Sequence, residues 1–287
     1  MYQVFSEHNE KEIFTMKKFL ALTMAMAMVL GLTACSGSSD KNTSDSTSTS
    51  GDSSTVTLTT VTPGKLTMST NAQFPPYEMV ASDGSFEGID IEVAQAIADQ
   101  LGLELVIDDM GFDAALQAVQ TGKSDMVMAG VTVNEDRLAV MDFSQSYANG
   151  VQVVIIKEGS DVTMDNLGEQ MIGCQMGTTG YIYCSDSVEN GGFGDDHVIP
   201  YDDGSAAIQA LLNGQVDAVV IDNAPAQEYV SANAGLTILD GEWVDEDYAI
   251  GFAKGNTALE TAVNNALQTL SDNGTLQSIV DKYIPAN

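Results

Sequence analysis

Val216-Asp217-Ala218-Val219-Val220-Ile221-Asp222 reads as a continuous apolar strand that ends in an acid, and residues 226–234 behind it read as a helix. A strand passing into a helix is the repeating unit of an α/β sheet covered by helices. Upstream, residues 65–70 form a strand, Pro75-Pro76 breaks it, and Asp83-Gly84 marks a hairpin turn. Ile89, Val93, Ile97 and Leu101 stand four apart, which predicts a helix over 89–101 with one buried stripe. A strand over 103–107 and a helix over 112–121, with Leu116 and Val119 inward, come next. A buried strand over 125–129 delivers the Gly130-Val131-Thr132 loop and a helical turn over 135–138. The order then repeats: strands over 151–156 and 171–175, a helix over 178–187 after Gly177, a short strand over 197–200, and a helix over 205–213. Beyond the quoted stretch lie a strand over 248–253 and helices over 257–271 and 275–283.

Two strand–helix–strand groups thus stand either side of about residue 150. They predict an α/β chain with two mostly parallel sheets, each covered by helices. In open sheets of this kind ligands sit beyond the carboxyl ends of strands. Asn71, Thr132, Gln175 and Asp222 each follow a strand and are candidates for a site.

Arg137 is the one arginine among 10 basic residues, against 41 acids. A guanidinium presents a planar fork of donors that grips a carboxylate through two parallel hydrogen bonds, which lysine cannot copy. Arg137 therefore suggests a site for a small carboxylate, although a solitary surface arginine would look the same. The formal net charge of −31 argues against nucleic acid or an anionic membrane surface as partners. Two scattered histidines and three cysteines make no metal-binding set, and neither metal nor cofactor is expected. Cys174 and Cys184 could pair in an oxidising compartment, subject to geometry.

The amino terminus carries an address. Met16-Lys17-Lys18 is a charged start, and residues 19–32 are an unbroken run of apolar and small residues. That run is too short to span a bilayer, which needs about 20 residues, and fits a secretory signal. Leu32-Thr33-Ala34-Cys35 resembles the lipobox of bacterial lipoproteins. Residues 1–34 are therefore expected to be a signal segment, with 1–15 an upstream extension, and Cys35 a lipidation site. Residues 35–61, rich in Ser, Thr, Asp and Gly, are expected to form a disordered tether. Such a linker spans roughly 25–30 Å. A cysteine bearing a diacylglycerol supplies two chains, enough for stable anchoring outside the cytoplasmic membrane.

Gly88-Ile89-Asp90-Ile91-Glu92-Val93, running on to Ile97 and Leu101, resembles the signature of family 3 bacterial extracellular solute-binding proteins. Asn71-Ala72-Gln73-Phe74-Pro75-Pro76-Tyr77-Glu78, Ala129-Gly130-Val131-Thr132 with Arg137, Asp142-Phe143-Ser144, Gly177-Thr178-Thr179-Gly180 and residues 217–222 are also similar to family blocks, in family order. The likeness covers about residues 62–285. It implies a type II periplasmic-binding-protein fold, two lobes closing on a ligand. Lobe one would be 62–149 plus 247–287 and lobe two 150–246, with crossings near Asn149-Gly150 and Asp245–Tyr248 as the hinge. It implies an importer receptor, with a free L-amino acid and an ABC permease as partners, acting as a monomer. Within the Gly88 block the resemblance implies only a structural role.

The resemblance also implies site roles. Arg137 would clamp the ligand carboxylate, with Thr132 and the Thr179 N–H adding donors. The Gly130 carbonyl and Asp222 would take the ammonium. Phe74 and Phe112 would pack on the ligand side chain, and Asn71 and Gln175 would line its polar end. Each has a plainer alternative: Phe74 and Phe112 as core, Thr178, Thr179 and Asp222 as helix caps, Asn71 as a turn residue. Glu78 could face solvent and is not expected to touch the ligand. Many basic-residue binders of the family carry an acid at the Asn71 position, and here it is an amide. No lysine or second arginine matches the site, so the ligand is expected to be neutral polar or basic. Two other classes share this fold: a cyclohexadienyl-dehydratase-like enzyme, for which the sequence offers no well-placed histidine or carboxylate pair, and an extracellular amino-acid sensor.

Overall fold

The computed structural model describes residues 58–241 and 243–285. The signal segment, Cys35 and residues 36–57 of the expected linker lie outside them. Leu58, assigned to the linker from sequence, instead packs half-buried against the main core. The Val61 N–H donates to the Asp125 carboxylate at 2.7 Å, so the ordered chain starts earlier than its composition suggested.

The fold is the expected two-lobed α/β arrangement. In the first half, β1 (Lys65–Thr70) lies between β5 (Glu104–Asp109) and β6 (Met126–Val127), parallel to both. In the second, β8 (Ile172–Gln175) lies between β9 (Val198–Tyr201) and β10 (Ala218–Asp222), again parallel to both. Each half therefore repeats one topology, its first strand in the middle. The two are not separate sheets. β7 (Met141–Lys157) is a single strand of 17 residues that belongs to both. Its first part pairs antiparallel with β12 (Asp245–Ala253), and from Gln152 onward it pairs antiparallel with β10. The sequence showed only its apolar second part. Asp142, Ser144, Gln145, Ser146, Asn149 and Gly150 hide the rest, and ladder hydrogen bonds override that weak propensity.

Side chains alternate across a strand, so β1 buries both faces. Leu66 and Met68 join the cluster containing Ile89, Val93 and Ile97 of α1 (Ile89–Leu101), together with Val263 and Leu267 of α7 (Thr257–Asp272). On the opposite face the Ser69 hydroxyl donates to the Ala115 carbonyl of α2 (Phe112–Gln120) at 2.9 Å. Leu116 and Val119 of α2 form a second cluster with Val127 and Met141. Each fully buried aliphatic side chain contributes about 1.5–3 kcal/mol, enough for α1 and α2 to clamp the sheet between them.

The short strands β2 (Gln73–Phe74), β3 (Glu78–Val80) and β4 (Phe86–Glu87) form a separate antiparallel ribbon. The β3–β4 link is the hairpin expected at Asp83-Gly84. Gly88, at φ 128°, ends the ribbon, and any Cβ there would overlap the Tyr77 carbonyl. Only glycine fits, because that φ is closed to other residues and the backbones are in contact.

Candidate functional site

All nine residues picked out from sequence, Asn71, Phe74, Phe112, Gly130, Thr132, Arg137, Gln175, Thr179 and Asp222, line one cavity. It lies at the carboxyl ends of β1, β6, β8 and β10, and its side chains close in until only about 20 Å³ stays open to water-sized contents. That is far below the volume of an open ligand pocket. Glu78, Ala129 and Thr178 complete the lining.

Arg137 is placed by a capped helical turn. The Asn134 side chain caps α3 (Glu135–Val140), accepting from the Arg137 N–H at 2.9 Å. The guanidinium then donates to the Thr132 carbonyl at 2.8 Å and to the Gly177 carbonyl at 3.1 Å, and stacks on the Phe112 ring at 5.3 Å. Thr132 lies in the first half and Gly177 in the second, so one cation bridges both. Arg137 is 7% exposed and makes no ion pair with a side chain among the described residues. Burial pulls its pKa down, while the nearby charges of Glu246 and Asp222 act in the opposite direction. A guanidinium has five N–H donors and stays charged in proteins. This one is a buried cation with donors to spare, facing a cavity.

Asp222 ends β10 and is buried. It occupies the cap position of α6 (Asn223–Ala232), but its side chain makes no capping bond. Instead it accepts a hydrogen bond from the Tyr248 hydroxyl. Burial, then the charge of neighbouring Glu246, pushes the Asp222 carboxyl up to about 8. Glu246 is itself buried, accepting from the Thr132 hydroxyl at 2.8 Å and the Gln152 amide at 3.1 Å. Sequence reasoning missed Glu246, and with it an acid pair, because β12 delivers it from a part of the chain that showed no motif.

Glu78 corrects an expectation. It is fully buried and lines the cavity, and its carboxyl lies against that of Asp90, with no other partner among the described residues. Burial raises its pKa well above the usual range, and the neighbouring Asp90 charge adds to the shift. Its orientation follows from the ribbon: Glu78 pairs directly with Phe74, so both side chains lie on one face. A single glutamate between a proline pair and a turn carries no such signal in sequence.

Asp90, in the Gly88 block, does more than start a helix. Its buried carboxylate accepts from the Tyr147 hydroxyl at 2.6 Å and from the Gly130 N–H at 3.1 Å. That second bond fixes Gly130 at φ 54°, with the Phe74 ring where a Cβ would lie. Opposite, the Thr178 side chain caps α4 (Thr179–Ser185), while Thr132 and Thr179 hydroxyls face each other at 3.5 Å. Among the described residues no group of three or more metal-ligating side chains converges.

This arrangement defines a receptor for a small zwitterion: one buried cation, buried acids opposite, aromatic walls, and both halves in contact around them. The chain belongs to the bacterial extracellular solute-binding proteins, family 3, whose model matches residues 66–286. It is 31% identical over 229 residues to the "Probable histidine-binding protein" of Neisseria gonorrhoeae, covering 77% of this chain and 84% of that protein. Among solved structures it resembles an ancestral arginine-binding protein bound to arginine, with a TM-score of 0.71, 37% identity, and coverage of 77% of this chain and 98% of that one. It also resembles the ancestral amino acid-binding protein AncCDT-1, a precursor of cyclohexadienyl dehydratase, with a TM-score of 0.70, 26% identity, and coverage of 77% and 95%. The family works outside the cytoplasm, and a substrate-binding role in amino-acid import by an ABC transporter follows for this chain.

Proposed function

We propose that the chain captures a free L-amino acid with a cationic side chain and releases it unchanged to an ABC permease. One observation carries this reading: Arg137 is buried, has no acid paired with it among the described residues, and lines a cavity whose other ionisable groups are the carboxyls of Glu78 and Asp222. A carboxylate removed from water costs several kcal/mol unless it is paired, and Arg137 supplies the pair. Thr132 and Thr179 add donors to the same group. Asp222 and the Gly130 carbonyl receive the ammonium. Phe74 and Phe112 hold the aliphatic part of the side chain, and Asn71 and Gln175 meet its polar length.

Glu78 then decides the ligand class. Among the described residues its carboxyl has the Asp90 carboxyl beside it and no cation, and a neutral ligand side chain would leave it so. A ligand cation would pair with it and repay the cost of ionising a buried acid. The related proteins named for histidine and arginine support this choice. A thermal-shift screen of the purified protein against the common amino acids tests it. Arginine, lysine or histidine should give the largest stabilisation, since ligand that binds only the folded state raises stability by mass action. Glu78→Gln should bring the cationic ligands down toward glutamine. Strongest stabilisation by glutamate or leucine would refute the assignment.

Residues 62–149 plus 247–287 and residues 150–246 act as the two closing lobes in this reading, with the β7–β12 pairing around Gly150 as the hinge. Ligand contacts drawn from both lobes favour closure, because only a differential affinity can shift such an equilibrium. Lipid on Cys35 holds the monomer at the membrane; Cys35→Ser should release it into the medium. Recovery of the bound amino acid unaltered after prolonged incubation distinguishes binding from dehydratase chemistry.

A further inference from the structure

Cys174 and Cys184 take no part in the ligand cavity, yet both are completely buried. Cys174 lies in β8 and Cys184 in α4. Between them residues 176–178 reverse the chain, so that α4 runs back over the strand it follows. Both sulfurs therefore enter one apolar cluster with Ile172, Val198 and Val220. Both are free thiols in this structure, and burial, then neighbouring Cys174, raises the pKa of the Cys184 thiol.

We propose that Cys174 and Cys184 form a disulfide that staples the second-lobe ligand loop. The family membership places the chain outside the cytoplasm, where thiols oxidise during folding. Each thiol loses one proton, and together they lose two electrons. The oxidant is a protein disulfide, which thiol–disulfide exchange converts to a dithiol. The bond forms before the strand and helix close over it, since the folded protein shields both sulfurs. The closed loop contains Gln175, Gly177, Thr178 and Thr179, which are residues that line the cavity or accept from Arg137. Pinning both ends of this loop removes freedom that ligand binding would otherwise have to freeze.

The test uses protein secreted in its native compartment or refolded with oxidised glutathione. It is denatured with an alkylating agent and no reductant, digested, and analysed by mass spectrometry. The expected product is a cross-linked peptide pair containing Cys174 and Cys184, lighter by two hydrogens than the reduced pair. Reduction of the unfolded chain before refolding should lower Tm by roughly 5–10 °C and weaken ligand binding. The Cys174→Ser, Cys184→Ser double variant should show a Tm indifferent to reductant. Alkylation of both cysteines after oxidative refolding would overturn the proposal, as would an unchanged sensitivity to reductant in the double variant. None of these readouts depends on which amino acid is bound.

Discussion

The Gln175 side-chain amide donates to the Asn71 side-chain oxygen at 2.8 Å, joining the ends of β8 and β1 directly across the cavity. The same Gln175 nitrogen also donates to the Asp202 carbonyl at 3.2 Å, and Asn71 donates onward to the Met110 carbonyl at 3.0 Å. The two amides are thus a latch between the halves, held at each end by backbone. A neutral hydrogen bond of this kind contributes about 0.5–1.5 kcal/mol. Gln175→Ala should therefore weaken ligand binding by roughly 2- to 13-fold, mostly through faster dissociation. Stopped-flow measurement of the release rate checks this. Asn71→Asp keeps the acceptor for Gln175 and adds a charge, so it should favour arginine over glutamine more than the parent does.

Arg137→Lys retains the charge and loses the fork. The lysine ammonium cannot hold the Thr132 and Gly177 carbonyls and two ligand oxygens together, and it lacks the flat face set against Phe112. Hydrogen bonds to charged groups are worth about 1.5–3 kcal/mol, so affinity should drop by roughly 10- to 150-fold. Calorimetric titration against the best amino acid from the screen measures the loss. Affinity within twofold of the parent would remove Arg137 from the carboxylate site.

The residues that sequence revealed share a reason for being visible. Arg137 stood out because the chain has a single arginine, and Asn71, Thr132, Gln175 and Asp222 because each follows a strand. The repeated α/β order was legible because Ile89, Val93 and Ile97 keep helical spacing and all are completely buried. What stayed hidden depends on partners distant in the chain. The polar first part of β7 is a strand because β12 pairs with it, about a hundred residues later. Glu78 turns inward because Phe74 lies opposite it, and Glu246 reaches the site because Thr132 and Gln152 hold it there. Buried acids are rare enough that local sequence argues for a wet surface. Only the assembled fold shows Glu78 in the cavity wall and Glu246 buried beside Thr132.

Asp222 ties stability to pH. Its carboxyl is pushed up in the fold, from an ordinary value of 3.8 to about 8. Between these values the unfolded chain gives up a proton that the folded chain keeps. The unfolded state binds fewer protons, so stability falls as pH rises through this window. Burial and the Glu246 charge cause the shift, and the Tyr248 hydroxyl only partly offsets it. The Tm of the ligand-free protein should therefore fall from pH 5 to pH 8, and Asp222→Asn should flatten part of that slope. Ligand whose ammonium pairs with Asp222 should stabilise the ionised form and release a proton on binding near pH 7. Heats of binding in buffers of different ionisation enthalpy read that proton count. No difference between parent and Asp222→Asn would place the ammonium elsewhere.

Gly177 makes closure itself testable. It sits at φ 77° in the loop before α4, and a Cβ there would overlap a carboxylate oxygen of Asp113, which lies at the start of α2 in the other half. Alanine at such a φ costs about 1–2 kcal/mol of stability whether or not the halves meet. The overlap with Asp113 arises only where the halves come together. Gly177→Ala should therefore lower Tm modestly and weaken ligand binding by about tenfold. Removing the obstacle separates the two effects. In the Asp113→Ala background, Gly177→Ala should lower Tm by the same amount but cost little affinity. The coupling in this double-mutant cycle is the energy of the introduced overlap between the alanine methyl and Asp113. An equal loss of affinity in both backgrounds would mean that Gly177 acts through loop conformation alone, and that Asp113 does not approach it when ligand binds.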